Sequence, residues 1–255
     1  MSSSSSRSAV TIVDSEEAVR SLLEKITGLP VYPPSLYCDL EGVKLSRHGS
    51  ISIFSLYVRP TQQAYLIDVH TLGAKAFDTA TADNVSLRTI LESTTIPKVF
   101  FDIRNDSDAL FAHYKISVAE VKDLQLMELA TRSFGKKFVA GLAKCIERDS
   151  SLSHAERTDW MQTKEDVTKL YAPESGGTYE VFNERPMRQV ISQYCERDVA
   201  LLPHLFDIYD AKLRKPGMSH WPGKVQAATL DRIEESQSAG YDPNSSFKTY
   251  APGTW

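Results

Sequence analysis

No apolar run in this chain approaches the ~18 residues that suggest a membrane-spanning helix, so no membrane span is expected. The opening residues Met1-Ser2-Ser3-Ser4-Ser5-Ser6-Arg7-Ser8 lack the apolar stretch of a secretion signal, and 1–8 reads as a polar, disordered leader. Cysteine is scarce. Cys38, Cys145 and Cys195 have neither the even count nor the close spacing of a disulfide or zinc framework, which favours a reducing compartment. Positive charge is not in excess: 29 Lys and Arg against 33 Asp and Glu give a formal net charge of −4. That excludes a generally basic coat for nucleic acid and leaves a local groove open, because steering depends on where charges sit. There is no internal repeat. These absences together lead to the expectation of a soluble intracellular protein, cytoplasmic or nuclear, with no membrane partner.

What is present is ordinary globular usage, 42% hydrophobic and 24% charged over 255 residues, enough for one large domain or one domain with extensions. Residues 9–13 suggest a first strand. Asp14 as cap with Glu17 three residues on then opens a helix to about Ile26. Segments 36–43, 50–58 and 64–69 are rich in Ile, Leu, Tyr and Val and are separated by polar turns, the pattern of a three-stranded meander. A helix over 84–91, a strand over 98–103, a helix over 106–114 and a short strand near 118–124 follow. Such alternation marks an α/β sheet covered by helices. Helices are expected over 126–132, 139–147 and part of 154–170. Residues 171–185 look like a loop, and Pro186 suits the first turn of one long helix reaching 213. Beyond Lys215-Pro216-Gly217 a single helix over 224–236 precedes a tail rich in Pro, Ser and Gly. The domain plan is therefore a leader at 1–8, a main domain at 9–214, and an extension at 215–255 that wraps its surface.

Acidic residues carry the chemistry. Asp39 and Glu41 interrupt an apolar strand and, being two apart, point to one face. Asp106 follows the apolar strand at 98–103, and Tyr194 and Asp198 are four apart on a helix, again sharing a face. Gathered by folding, these groups make a hard-oxygen site suited to Mg2+ or Mn2+.

The set Asp39-x-Glu41, then Asp106, then Tyr194-x-x-x-Asp198, in this order and on these elements, resembles the three motifs of the DEDDy 3′-5′ exonucleases, such as ribonuclease D and the Werner-type exonuclease domain. Arg185-Pro186-Met187 ahead of Tyr194 is similar to the family's Arg-Pro-Leu, and wording such as Asp39-Leu40-Glu41-Gly42-Val43 resembles an Egalitarian-like fungal branch. The resemblance spans about 36–213. It implies an α/β ribonuclease-H-like exonuclease fold with a central mixed sheet flanked by helices, and a metal-dependent 3′-5′ exonuclease working on single-stranded RNA or DNA. It further implies two ions held by Asp39, Glu41, Asp106 and Asp198, with Asp39 bridging them, and Tyr194 orienting the attacking water. A phenol of ordinary pKa near ~10 is a poor base at neutral pH. The departures are Phe101-Asp102-Ile103 at the second motif, Cys195-Glu196 after the tyrosine, and an extended segment at 133–185; they bear on substrate choice. The alternative on the same fold is an RNA-binding adaptor of weak or no activity, or an accessory protein assembled through 221–255.

Rival readings are local. Asp39 and Glu41 fit the solvent face of an edge strand, and Asp106 fits a helix cap. Asp102 is a substitute for Asp106 in a shifted register, whereas Asp108 points about 200° away from it. Lys44, Arg47, His48, Lys136 and Lys137 are candidate phosphate contacts or ordinary surface charge. Tyr179 and Phe182 suit base stacking or core packing equally.

Overall fold

The computed structural model describes residues 10–253 and 255, and the leader expected at 1–8 lies outside them. Strand β1 (Val10–Val13) leads into α1 (Glu16–Ile26), whose Val19, Leu22, Leu23 and Ile26 recur at helical spacing and are all buried. Ser15, not Asp14, caps this helix: its side chain accepts the Ala18 amide at 3.3 Å. The meander is β2 (Leu36–Glu41), β3 (Ile53–Val58) and β4 (Gln63–Asp68), paired antiparallel with Asp39 opposite Ser55 and Glu41 opposite Ile53. β2 ends sharply because Gly42 lies against the returning chain; a Cβ there would stand 1.9 Å from the Ser50 carbonyl oxygen.

Short helices α2 (Val69–Leu72), α3 (Lys75–Asp78) and α4 (Leu87–Glu92) follow, the last closed by a Ser86–Thr89 capping box. Next come β5 (Lys98–Phe100), α5 (Arg104–Tyr114), β6 (Val121–Asp123) and α6 (Leu124–Thr131). The chain continues through α7 (Leu142–Asp149), α8 (His154–Tyr171), α9 (Gln189–Ala200), α10 (Leu202–Leu213) and α11 (Trp221–Gln237). The six strands form one mixed sheet in the order β1-β4-β3-β2-β5-β6, with β1, β5 and β6 parallel to their neighbours β4, β2 and β5. No described helix is long and apolar enough to cross a membrane.

Both faces of the sheet are covered. Cys38 and Leu40 pack with Val19 and Leu23 of α1 and Leu110 of α5. On the opposite face Tyr37 and Val99 meet Leu126 of α6 and Leu205 and Phe206 of α10, while Ile53 and Leu66 meet Ile191 and Cys195 of α9. Asp39 and Glu41 belong to this second face by alternation. α9 lies across β2, β3 and β4, so the acids face a helix and not open solvent.

Three expectations are corrected. α5 begins at Arg104, placing Asp106 in its third position, because the Asp123 carboxylate accepts the Asp102 and Ile103 amides at 3.2 and 3.3 Å ahead of the first turn. The long helix expected over 186–213 is two helices that meet at Leu201, with Pro203 in the first turn of α10. Pro186 follows a cis peptide outside α9, which starts at Gln189. In the segment expected to wrap the domain surface, α11 is tied into the core. It packs on α5, α6 and β6, and Arg232 reaches inward to Asp123 (2.6 Å) and Gln125 (2.8 Å).

Candidate active site

Alternation on β2 puts Asp39 and Glu41 under α9, and the helical repeat of α9 puts Tyr194 and Asp198 above them. One carboxylate oxygen from each of Asp39, Glu41 and Asp198 lies within 4.8 Å of the others. Asp106, buried in the first turn of α5, stands outside this triad; Asp39 and Glu41 still act on its charge. The structure thus joins the first and third motifs closely and sets the second beside them. α9 is held over the sheet by Arg185, whose guanidinium grips the buried Asp68 carboxylate at 2.5 and 2.6 Å from the end of β4.

Unneutralised, such a cluster resists ionisation. Burial and then Asp198 push Asp39 up to about 7. Burial followed by Asp39 drives both Glu41 and Asp106 well above the ordinary carboxylate range. Asp198 is also raised by burial, against the pull of a neighbouring lysine. The Tyr194 hydroxyl is driven well up by burial and by Glu41, which keeps the phenol protonated at neutral pH and suits it to positioning, not to proton abstraction.

That lysine is the participant the sequence reading missed. Lys164, projecting from α8, places its ammonium 2.7 Å from Asp198 Oδ2 and about equally over the rings of Tyr194 (5.0 Å) and Trp160 (5.1 Å). Burial opposes its charge, but Asp198, Glu41 and Asp39 more than offset this and raise its pKa. Nothing in the spacing marks Lys164, because it lies 34 residues from Asp198 in a segment with no motif.

The rival acids are otherwise engaged. Asp102 forms a two-pronged pair with Arg104, both contacts 2.6 Å, and Asp108 is buried against Arg47 at 2.6 Å. Arg47 also donates to the Ser236 carbonyl at the end of α11, and Lys136 donates to the Leu129, Ala130 and Arg132 carbonyls at the end of α6. Both are structural ties, not phosphate contacts. Phe182 is buried, and Tyr171 stacks between it and Tyr179 at 5.4 and 5.7 Å, so these rings pack the floor beneath Tyr194.

A family model described as a 3′-5′ exonuclease matches residues 10–214. Among curated proteins, the mouse (Mus musculus) piRNA biogenesis protein EXD1 is 33% identical over 116 residues, covering 45% of this chain and 19% of that protein. The chain therefore spans about a fifth of the length of this relative. Among solved structures, Trypanosoma brucei RNase D in complex with RNA U12 superposes with a TM-score of 0.74 at 18% identity, covering 98% of this chain and 78% of that one. Brucella melitensis NrnC with bound Mg2+ gives 0.58 at 17% identity, over 93% and 98%. These likenesses concern the fold, a mixed sheet with flanking helices. With the motifs and the family match they lead to one conclusion: the chain belongs to the 3′-5′ exonuclease family.

Proposed function

We propose that the protein is a metal-dependent nuclease that removes nucleotides from the 3′ ends of single-stranded RNA or DNA. The observation that carries this reading is the convergence of Asp39, Glu41 and Asp198 oxygens within 4.8 Å, with Asp106 alongside. Oxygen-only donors of this charge fit a hard divalent cation such as Mg2+ or Mn2+, whose charge would offset the mutual repulsion of these carboxylates. Asp39, Glu41 and Asp198, with Asp106 beside them, would hold such ions. Two such ions, when bound, supply an acidified water and charge neutralisation at the scissile phosphate.

The chain's own residues do the rest. Tyr194 keeps its proton and orients the attacking water by hydrogen bonding. Lys164 holds Asp198 in place and contributes a fixed positive charge where phosphate charge accumulates. α9, clamped through Arg185 and Asp68, closes the sheet face and keeps the site in a low-dielectric setting that strengthens these interactions.

The test is a 5′-labelled single strand incubated with purified protein in Mg2+ or in chelator. A ladder of products shortened from the 3′ end, present only with metal, is expected. Inactivity on both RNA and DNA in Mg2+ and Mn2+ overturns the reading. The second reading, an adaptor that binds RNA without cutting it, is favoured by one feature: the Lys164 ammonium already neutralises Asp198. It requires tight binding in chelator and no products in either metal.

A further inference from the structure

Among the described residues, four of the five exposed large aromatic rings, all but Tyr32, lie in the loop after α6 and in the C-terminal segment tied to it. Phe247 (79% exposed), Tyr250 and Phe138 (47% each) form a continuous row, with ring centroids 6.3 Å apart between the first two and 5.1 Å between the last two. Phe134, 55% exposed, lies in the same loop as Phe138. An exposed aromatic cluster on a protein surface signals a binding partner more often than chance. The row is assembled deliberately: the C-terminal segment is tied to the loop by Val139 N donating to Thr249 O and Ala251 N to Lys137 O, both 3.0 Å.

Cations accompany the rings. Lys137 Nζ stands 5.2 Å over Phe138, and the Arg132 and Arg148 guanidinium groups lie 5.0 and 5.3 Å over Phe134. Lys248, between Phe247 and Tyr250 in the chain, is held by two neutral oxygens, Asn105 Oδ1 and Pro243 O. Asn105 immediately precedes Asp106, and the Lys248 charge acts on the Asp106 carboxylate. Phe247 and Tyr250 thus line a cleft of about 690 Å3 between α11 and the C-terminal segment, with Lys248 between them within electrostatic reach of Asp106, and Phe138 continues the row beyond the cleft. Asp231, Glu235 and Asp242 in that cleft repel phosphate, so a backbone is drawn to Lys248 at the ring row and to Lys137 beside Phe138 outside the cleft.

We infer that Phe247, Tyr250 and Phe138, with Lys137 and Lys248, form a stacking path that carries the 5′-ward part of a single-stranded nucleic acid away from the acidic site. This rests on the exonuclease reading and extends it. Exposed aromatic rings stack on any base, and flanking cations track the backbone, which is the general design of sequence-tolerant single-strand sites. A protein ligand is the less suited occupant, because the rings are interleaved with cations and one of these, Lys248, acts on the acidic site.

The experiment compares an oligonucleotide of about 12 nucleotides, within the ~4–16 that single-strand sites span, with a dinucleotide. Binding is measured by fluorescence anisotropy in chelator on the full chain. Phe247→Ala combined with Tyr250→Ala is expected to weaken the longer strand about tenfold or more relative to the dinucleotide, as loss of stacking on two bases implies. Phe247→Trp, which keeps a stacking face, is expected to retain wild-type affinity, and thermal melting checks that the fold is intact. An unchanged affinity ratio in a folded double variant overturns the path while leaving the nuclease reading untouched, and assigns the rings to some other ligand. A wild-type protein that neither binds nor cuts either strand overturns the nuclease reading itself.

Discussion

At the scale of single residues, the acidic site behaves unlike a packing feature. Asp39, Glu41 and Asp198 crowd one interior with Lys164 against Asp198, and Asp106 stands beside them. A side chain selected for stability costs stability when removed. These acids repel one another, so neutralising one relieves the fold. Asp39→Asn is therefore expected to leave the melting temperature of the metal-free protein unchanged or raised. Turnover is expected to fall by at least about 10²–10³-fold, the scale for losing one charge-stabilising group. Thermal melting and a nuclease assay on the same preparation check this; a variant that melts lower yet cuts normally contradicts the assignment. The same electrostatics explain why Tyr194 serves as a positioning group: beside Glu41 and Asp198 its hydroxyl gains no help in ionising.

At the scale of elements, the site depends on how α9 is docked. Arg185 donates to Asp68 through two nitrogens and to the Phe182 and Glu184 carbonyls, fixing the entry to α9 against the end of β4. Asp68 is 3% exposed at its side chain, so Arg185→Ala leaves a buried carboxylate without its cation, held only by Thr71. A loss of about 3 kcal/mol in urea unfolding is expected, within the range for breaking a buried pair, along with a drop in turnover because Tyr194 and Asp198 ride on α9. Loss of turnover without loss of stability places Arg185 in substrate contact instead. Much of this architecture was legible in the chain. β2 through β4 alternate or run apolar and end at polar turns, and the acids on β2 and α9 fall on shared faces by simple periodicity. What stayed hidden depends on tertiary partners. α5 starts at Arg104, after a turn that Asp123, 20 residues from Ile103, fixes by accepting the Ile103 amide. The break at Leu201 is marked in sequence by Pro203, which fits a helix start as readily as Pro186 did. Lys164 could not be found by spacing, since only the packing of α8 on α9 delivers it to Asp198.

At the scale of the whole molecule, two features couple the site to global stability. The family match ends at residue 214, but the fold does not: α11 buries Val225, Ala228 and Ile233 and sends Arg232 to Asp123. Truncation after Arg214 leaves Asp123 without that partner and bares apolar surface on α5 and α6, so the shortened chain is expected to aggregate or melt far lower; a soluble product of unchanged melting temperature makes α11 dispensable. The second feature is proton linkage. Asp39 at about 7, with Glu41, Asp106 and Asp198 also raised, binds protons in the native state that an unfolded carboxylate, with a pKa near ~4, has already released. Where the native state binds more protons, stability falls as pH rises. Asp68 acts oppositely: burial raises it but Arg185 and Thr71 lower it further, so its contribution is present above ~4 and lost only in more acidic solution. The metal-free protein is thus expected to melt at lower temperature near pH ~7.5 than near ~5.5. Divalent cations compete with those protons for the same oxygens, so Mg2+ is expected to raise the melting temperature more at the higher pH and to flatten the profile. A melting temperature that rises between these two pH values in chelator, or a Mg2+ effect that is larger in acid, means that the acids do not share one desolvated site.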